Sequence, residues 1–205
     1  MMISNSEIRE KARVALGGQI FHKNWLMSVV VTIIIGAVIG MANGISCGIA
    51  SILITGPLSA GLHNVFMKLV RNGEENEIKL EDAFSGCYSF GSNLILGVMQ
   101  TLLISLWSLL CFVPGIIKSF DYSMIYFVKN DHPEYSWREC LNESERLMKG
   151  NRIQYFLLQL SFIGWNIIGS LACCIGIYWA AAYQSASNAV FYEELKKNND
   201  TYIIE

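Results

Sequence analysis

A chain of 205 residues is long enough for one or two soluble domains, but 53% hydrophobic and 16% charged residues depart from the roughly 25% charge of ordinary globular proteins. Fifteen Lys and Arg against 17 Asp and Glu leave a net charge of -2, with no basic run that could neutralise phosphates, so nucleic acid is not an expected partner.

Acids and bases vanish from three tracts: 44 residues between Lys23 and Lys68, 35 between Asp82 and Lys118, and 40 between Arg152 and Glu193. A hydrocarbon layer about 30 Å thick needs about 20 apolar residues in a helix, so each tract suits two spans and not one. Turn residues near the middle of each, Asn43-Gly44, Pro114-Gly115 and Gly176 after Cys173-Cys174, divide them into hairpins. The fold class predicted is therefore all-α: a single polytopic membrane bundle over residues 1–205, with six spans as three hairpins and a weak pseudo-threefold repeat.

In chain order, residues 1–24 form an amphipathic segment capped by Ser4 and Glu7, with Ile8, Ala12, Ala15, Leu16 and Ile20 on one face. Hairpin one (25–67) pairs a span at Trp25–Ala42 with one at Ile45–Met67. Gly40-Met41-Ala42 resembles a signal cleavage site, but the long polar segment before the apolar run predicts an uncleaved span. A loop at 68–92 leads to hairpin two (93–128), with spans at Asn93–Val113 and Gly115–Val128, the second of them short. Residues 129–152 carry a second amphipathic helix with a Ser136/Glu139 cap and Trp137, Cys140, Leu141, Ser144, Leu147 and Met148 on its apolar face. Hairpin three (153–192) has spans at Ile153–Ala172 and Ile177–Tyr192, and 193–205 is a tail. Both amphipathic helices are expected along the cytoplasmic surface, either packed under the bundle or free to meet lipid or a partner.

Of the 15 Lys and Arg, 14 fall in the two ends and the two long connections, so the N-terminus, the C-terminus and both loops are predicted cytoplasmic. The exception is Lys118. It shares a helix face with Asp121 and either pairs with it or, one turn past Pro114, snorkels to the outer interface.

Side-chain polarity at membrane depth is where function would show. Cys47, Ser51, Thr55, Ser59 and His63 recur every four residues in the second span; Lys118, Asp121, Tyr122, Ser123 and Tyr126 follow the Pro114 turn; Tyr183, Gln184, Ser185, Ser187 and Asn188 cluster in the sixth. All are second helices of hairpins, so Lys118, Asp121, Tyr122, His63, Thr55, Gln184 and Asn188 are the candidate lining of a central polar site; the competing reading is close packing of small residues. The six cysteines are expected to be small buried side chains, although Cys47, Cys111, Cys173 and Cys174 fall near outer helix ends. No Walker loop, GxGxxG, GxSxG, HExxH or metal-ligand spacing occurs, so no catalytic residue, metal or cofactor is predicted.

Three tracts carry a resemblance: LWSLLCFVPGIIKSFDYSMIYFV (Leu106 to Val128), LMKGNRIQYFLLQLSFIGWNIIG (Leu147 to Gly169) and GIYWAAAYQSASNAVFYEEL (Gly176 to Leu195). Together they resemble the small bacterial membrane proteins grouped as domain of unknown function nine-seven-five, and more distantly the membrane domain that accompanies glycerophosphodiester phosphodiesterases. The chain departs from that pattern at Ala182-Tyr183, where a Pro-Tyr pair is expected, and at Asn151, where a His often stands. The resemblance implies a multi-pass protein of the bacterial cytoplasmic membrane. Residues and resemblance together lead to a non-enzymatic accessory or scaffold that contacts membrane lipids or another membrane protein. A minimal small-molecule or ion transporter is the alternative, and an intramembrane lipid-modifying enzyme comes third.

Overall fold

The computed structural model describes residues 2–18, 23–46, 49–72, 80–110, 112–171 and 175–204. Their regular elements are helical: α1 (Asn5–Ala15), α2 (Lys23–Ser46), α3 (Ile49–Asn72), α4 (Leu80–Ala83), α5 (Phe90–Leu110), α6 (Phe112–Asp121), α7 (Ile125–Asp131), α8 (Trp137–Met148), α9 (Arg152–Leu171) and α10 (Ile175–Ile204), with a 3-10 turn at Ser85–Cys87. No strand occurs among the described residues, and the fold is all-α. Two of these helices are long and apolar enough to cross a membrane: α2 over Lys23–Gly44, mean hydropathy 2.4, and α5 over Phe90–Leu109, mean hydropathy 1.5.

None of the three turn signals is a helix break. α2 runs through Asn43 and Gly44, α6 holds Pro114 in its first turn, and α10 takes in Gly176. Proline in a first turn removes an N–H that has no intrahelical acceptor there, so it starts a helix instead of stopping one. An interior glycine costs a helix only about 1 kcal/mol, less than leaving several carbonyls unbonded in an apolar setting. Helical structure also continues past the expected limits, in α3 to Asn72 and in α10 through the predicted tail to Ile204.

The chain packs as two compact units, one of Met1–Ile34, Val65–Leu80 and Ile153–Glu205, the other of Ile35–Asn64 and Glu81–Arg152. In the first, Ser4 starts α1 with a reciprocal cap: its backbone N–H donates to Glu7 Oε2 at 2.7 Å, and the Glu7 N–H returns to Ser4 Oγ at 3.3 Å. Paired bonds end the helix, Gly17 N–H to Val14 O at 2.8 Å and Gly18 N–H to Arg13 O at 2.9 Å, and Gly17 at φ 98° supplies the left-handed step this ending requires. The apolar face of Ile8, Ala12, Ala15 and Leu16 is buried, and α1 packs on α10. Tyr183 Oη donates to Arg9 O at 3.0 Å and Lys11 pairs with Glu194 at 2.8 Å, while Gln154 on α9 bonds Ile3 O and accepts from Asn5. α9 and α10 meet at Gly169 and Gly176, where an added Cβ on Gly169 would sit 2.7 Å from the Gly176 carbonyl carbon.

In the second unit, the Ser136/Glu139 cap starts α8 as its sequence predicts, and Cys140, Leu141, Ser144, Leu147 and Met148 are buried against α5, α6 and α7. Trp137 is half-buried under the Arg138 guanidinium, 4.9 Å from the ring centre. The apolar faces of α1 and α8 are thus internal to the protein and not presented to lipid. Three glycines close the polar segments ahead of the hairpins, and two of them, Gly18 and Gly150, lie at positive φ just past a helix end. The third, Gly86, instead serves close approach: a Cβ there would meet backbone atoms of Pro57 and Gly61 in α3.

The expected fourth span divides in two. Ser144 of α8 inserts its hydroxyl at the break, donating to Asp121 O at 2.5 Å and accepting the Met124 N–H at 3.3 Å. Gln100 Nε2 donates to Tyr122 O at 3.1 Å. Side chains from α5 and α8 thereby take up backbone groups that a continuous helix would have bonded, which lets α6 stop after ten residues before α7 starts at Ile125.

Candidate functional site

The break between α6 and α7 carries a polar cluster in the second unit. Asp121, the last residue of α6, has a fully buried carboxylate, and Arg152 grips it with two bonds, Nε to Oδ1 at 2.5 Å and Nη2 to Oδ2 at 3.0 Å. Lys118, one turn earlier, stands 3.5 Å from Oδ2 and turns its ammonium to Glu145 of α8 at 2.6 Å. The rings of Trp107 and Tyr122 flank that ammonium at 6.0 and 5.6 Å. Two cations and two anions make the cluster neutral. Lys118 thus has two carboxylate partners, Asp121 on its own helix and Glu145 on α8.

Local sequence explains how Arg152 arrives. Lys149 at φ -62°, ψ 120° and Gly150 at φ 88°, closed by an Asn151 N–H bond to Met148 O at 3.0 Å, form a type II turn whose third residue must be left-handed. The chain reverses in four residues, and Arg152 becomes the first residue of α9. Asp121 at a helix C-terminus and Arg152 at a helix N-terminus each oppose the local dipole, and pairing offsets both.

The remaining predicted residues fall elsewhere. His63 lies in the second unit with Nδ1 2.6 Å from Ser59 O; a carbonyl only accepts, so Nδ1 carries the proton. Its ring meets Phe127 edge-on at 4.5 Å and Tyr126 at 5.4 Å. Thr55 borders a small cavity beside Tyr126. Gln184 and Asn188 belong to the first unit, where Gln184 Nε2 donates to Gln159 Oε1 at 2.5 Å and Gln159 Nε2 to Asn188 Oδ1 at 2.7 Å. Within the second unit Lys118, Asp121 and Tyr122 gather at the α6–α7 break while His63 and Thr55 lie near Tyr126; within the first, Gln184 and Asn188 are joined through Gln159. Sequence reasoning missed Glu145, Arg152, Ser144 and Gln159. The first two stand in stretches read as ordinary cytoplasmic charge, and a lone buried Asp would have been the signal to look for a second cation.

Outside the expected spans, burial pushes the Cys140 thiol up to about 11. The hydrogen bond and charge of Arg146 hold Glu143 below the usual carboxylate value. At Glu194 burial pushes the carboxyl up, but Lys11 and Lys197 pull harder and leave it lowered. No group of three or more His, Cys, Asp or Glu side chains suited to a metal occurs among the described residues.

Residues 1–120 and 109–199 match a family described as Protein of unknown function (DUF975). The chain belongs to the DUF975 family. No curated protein and no solved structure matches it. The two matched stretches of this DUF975 protein overlap at residues 109–120, which hold Pro114 to Lys118 and most of α6.

Proposed function

We propose that this DUF975 protein is a multi-pass component of the bacterial cytoplasmic membrane. In this reading it has six spans, both termini in the cytoplasm, and a non-enzymatic accessory or scaffold role exercised on lipid or a membrane partner. One observation carries it: large apolar side chains stand exposed along α5, α6 and α9, including Leu106 at 59%, Leu109 at 86%, Val113 at 65%, Ile153 at 75% and Ile167 at 57%. Apolar faces of this length are unfavourable in water and comfortable in hydrocarbon or against another apolar helix. A non-catalytic role is supported by the Asp121 cluster, in which both carboxylate oxygens are already engaged and the charges cancel. The same cluster suits a structural pin, holding the α6 end, α8 and the α9 start together.

Single-Trp variants retaining Trp107 or Trp165 test this in proteoliposomes containing brominated lipid. Both should be quenched, Trp137 much less so, and a tag at either end should be digestible only from the cytoplasmic face. Unquenched Trp107 and Trp165, or a protein soluble without detergent, would overturn the reading. A minimal transporter is the second reading, favoured by the polar cavity beside Thr55; solute flux abolished by Gln100→Leu in folded protein would move the balance to it.

A further inference from the structure

Within the second unit, α3, α5 and α7 line a half-open cavity of about 300 Å³ bordered by Thr55, Gly56, Ser59, Gly97, Gln100, Thr101 and Tyr126, at the lower end of ligand-site volumes. Close helix crossing makes it: a Cβ on Gly97 would lie 2.9 Å from Gly56 Cα and 3.2 Å from Tyr126 Oη, so glycine at both positions lets the backbones meet and keeps the space before the hydroxyl open.

The polar atoms are the informative part. Tyr126 is only 7% exposed, and its hydroxyl makes no hydrogen bond among the described residues. Ser59 Oγ and the Gln100 side-chain carbonyl are likewise unbonded there, because Ser59 uses its backbone carbonyl on His63 and Gln100 uses its Nε2 on Tyr122 O. Thr101 Oγ1 donates to Gly97 O at 2.9 Å and keeps its lone pairs. The largely buried Tyr126 and the more accessible Ser59, Gln100 and Thr101 thus bring hydrogen-bonding atoms with spare capacity to one space. No acid, base or histidine lines it among the described residues, so a bare ion entering would find no counter-charge there.

We propose that this cavity is a binding site for a small uncharged molecule that both donates and accepts hydrogen bonds, of the size of a short polyol or simple amide, with the Tyr126 hydroxyl as its central contact. Thr101 and Gln100 orient the molecule from α5, and Ser59 meets it from α3. The assignment goes beyond the accessory reading and does not need it: a scaffold and a transporter could each hold such a site.

Saturation-transfer NMR on the full chain in detergent tests it, with empty micelles as control. The probes are ethylene glycol, erythritol, acetamide and N-methylurea, each run beside the charged analogues acetate and ethylammonium. At least one uncharged probe should give a saturable signal, the charged analogues none. Tyr126→Phe should weaken binding about three- to tenfold, the loss of one hydrogen bond, and the near-isosteric Thr101→Val should do the same. Absence of saturable binding by every uncharged probe would overturn the site, as would equal binding of the charged analogues. Wild-type affinity in both variants would also overturn it. Should neither variant fold, the contrast between uncharged and charged probes on the natural chain decides alone.

Discussion

Replacing Arg152 by Met keeps most of the side-chain volume and removes the fork that holds Asp121. The carboxylate is fully buried and Arg152 is 37% exposed, so the loss falls mainly on the acid: its nearest remaining cation, Lys118, stands 3.5 Å away and is committed to Glu145 at 2.6 Å. Breaking a fully buried pair costs about 3 to 5 kcal/mol, and water reaching the guanidinium brings the expected loss to about 2 to 3 kcal/mol. Asp121→Asn strands no buried charge and should lose only about 1 kcal/mol. Combining the two should recover about 2 kcal/mol relative to their sum, since the double variant has no unpaired carboxylate to bury. The assay is unfolding by SDS titration followed by far-UV circular dichroism. An Arg152→Met protein within about 0.5 kcal/mol of wild type, or a double variant that is simply additive, would refute the argument that the cluster pins this break.

Gly150→Ala meets no atom within 4 Å but must sit at φ 88°, so it should lose about 1 to 2 kcal/mol through the backbone alone in the same titration. With the other four cysteines replaced by alanine, Cys87, which is exposed, should react quickly with a maleimide; Cys140, buried and pushed up to about 11, has on the order of one thiol in ten thousand ionised at pH 7 and should react only after denaturation. Glu194 is lowered when folded, so its pairing with Lys11 contributes above the ordinary value of 4.5 and is lost as pH falls through the folded value. The stability difference between wild type and Lys11→Met should therefore shrink below pH 4.5, and a difference unchanged down to pH 3 would contradict it.

Both capping boxes could be read directly, because Ser4 with Glu7 and Ser136 with Glu139 act within one turn and need no tertiary context. The buried faces of α1 and α8 were legible for the same reason, since 3.6-residue periodicity names the side that must be covered. What covers it was not: period alone does not separate lipid from protein, and here the cover is protein. Asn43-Gly44, Pro114-Gly115 and Gly176 read as helix breaks yet lie inside helices, because turn chemistry calibrated on water-exposed chains overstates what one glycine or proline does to an apolar helix. At Asp121 the near partner three residues away was visible. Glu145 and Arg152 lie 27 and 31 positions downstream of Lys118 and Asp121 in turn, a separation that no local pattern encodes. Ser144 shows the same limit, since its hydroxyl matters only because α8 is laid against the α6–α7 break.

The first unit joins the opening helix to the closing one: Ile8 and Leu16 of α1 are covered in a core shared with α10, and Tyr183 and Glu194 hold that helix by Arg9 and Lys11. During synthesis the ribosome releases α1 long before its cover exists, while residues 81–152, contiguous and mutually contacting, already have their partners at hand. The second unit can thus mature on the translating chain. The first must wait with its earliest helix unsheltered, and it closes only when the last segment emerges.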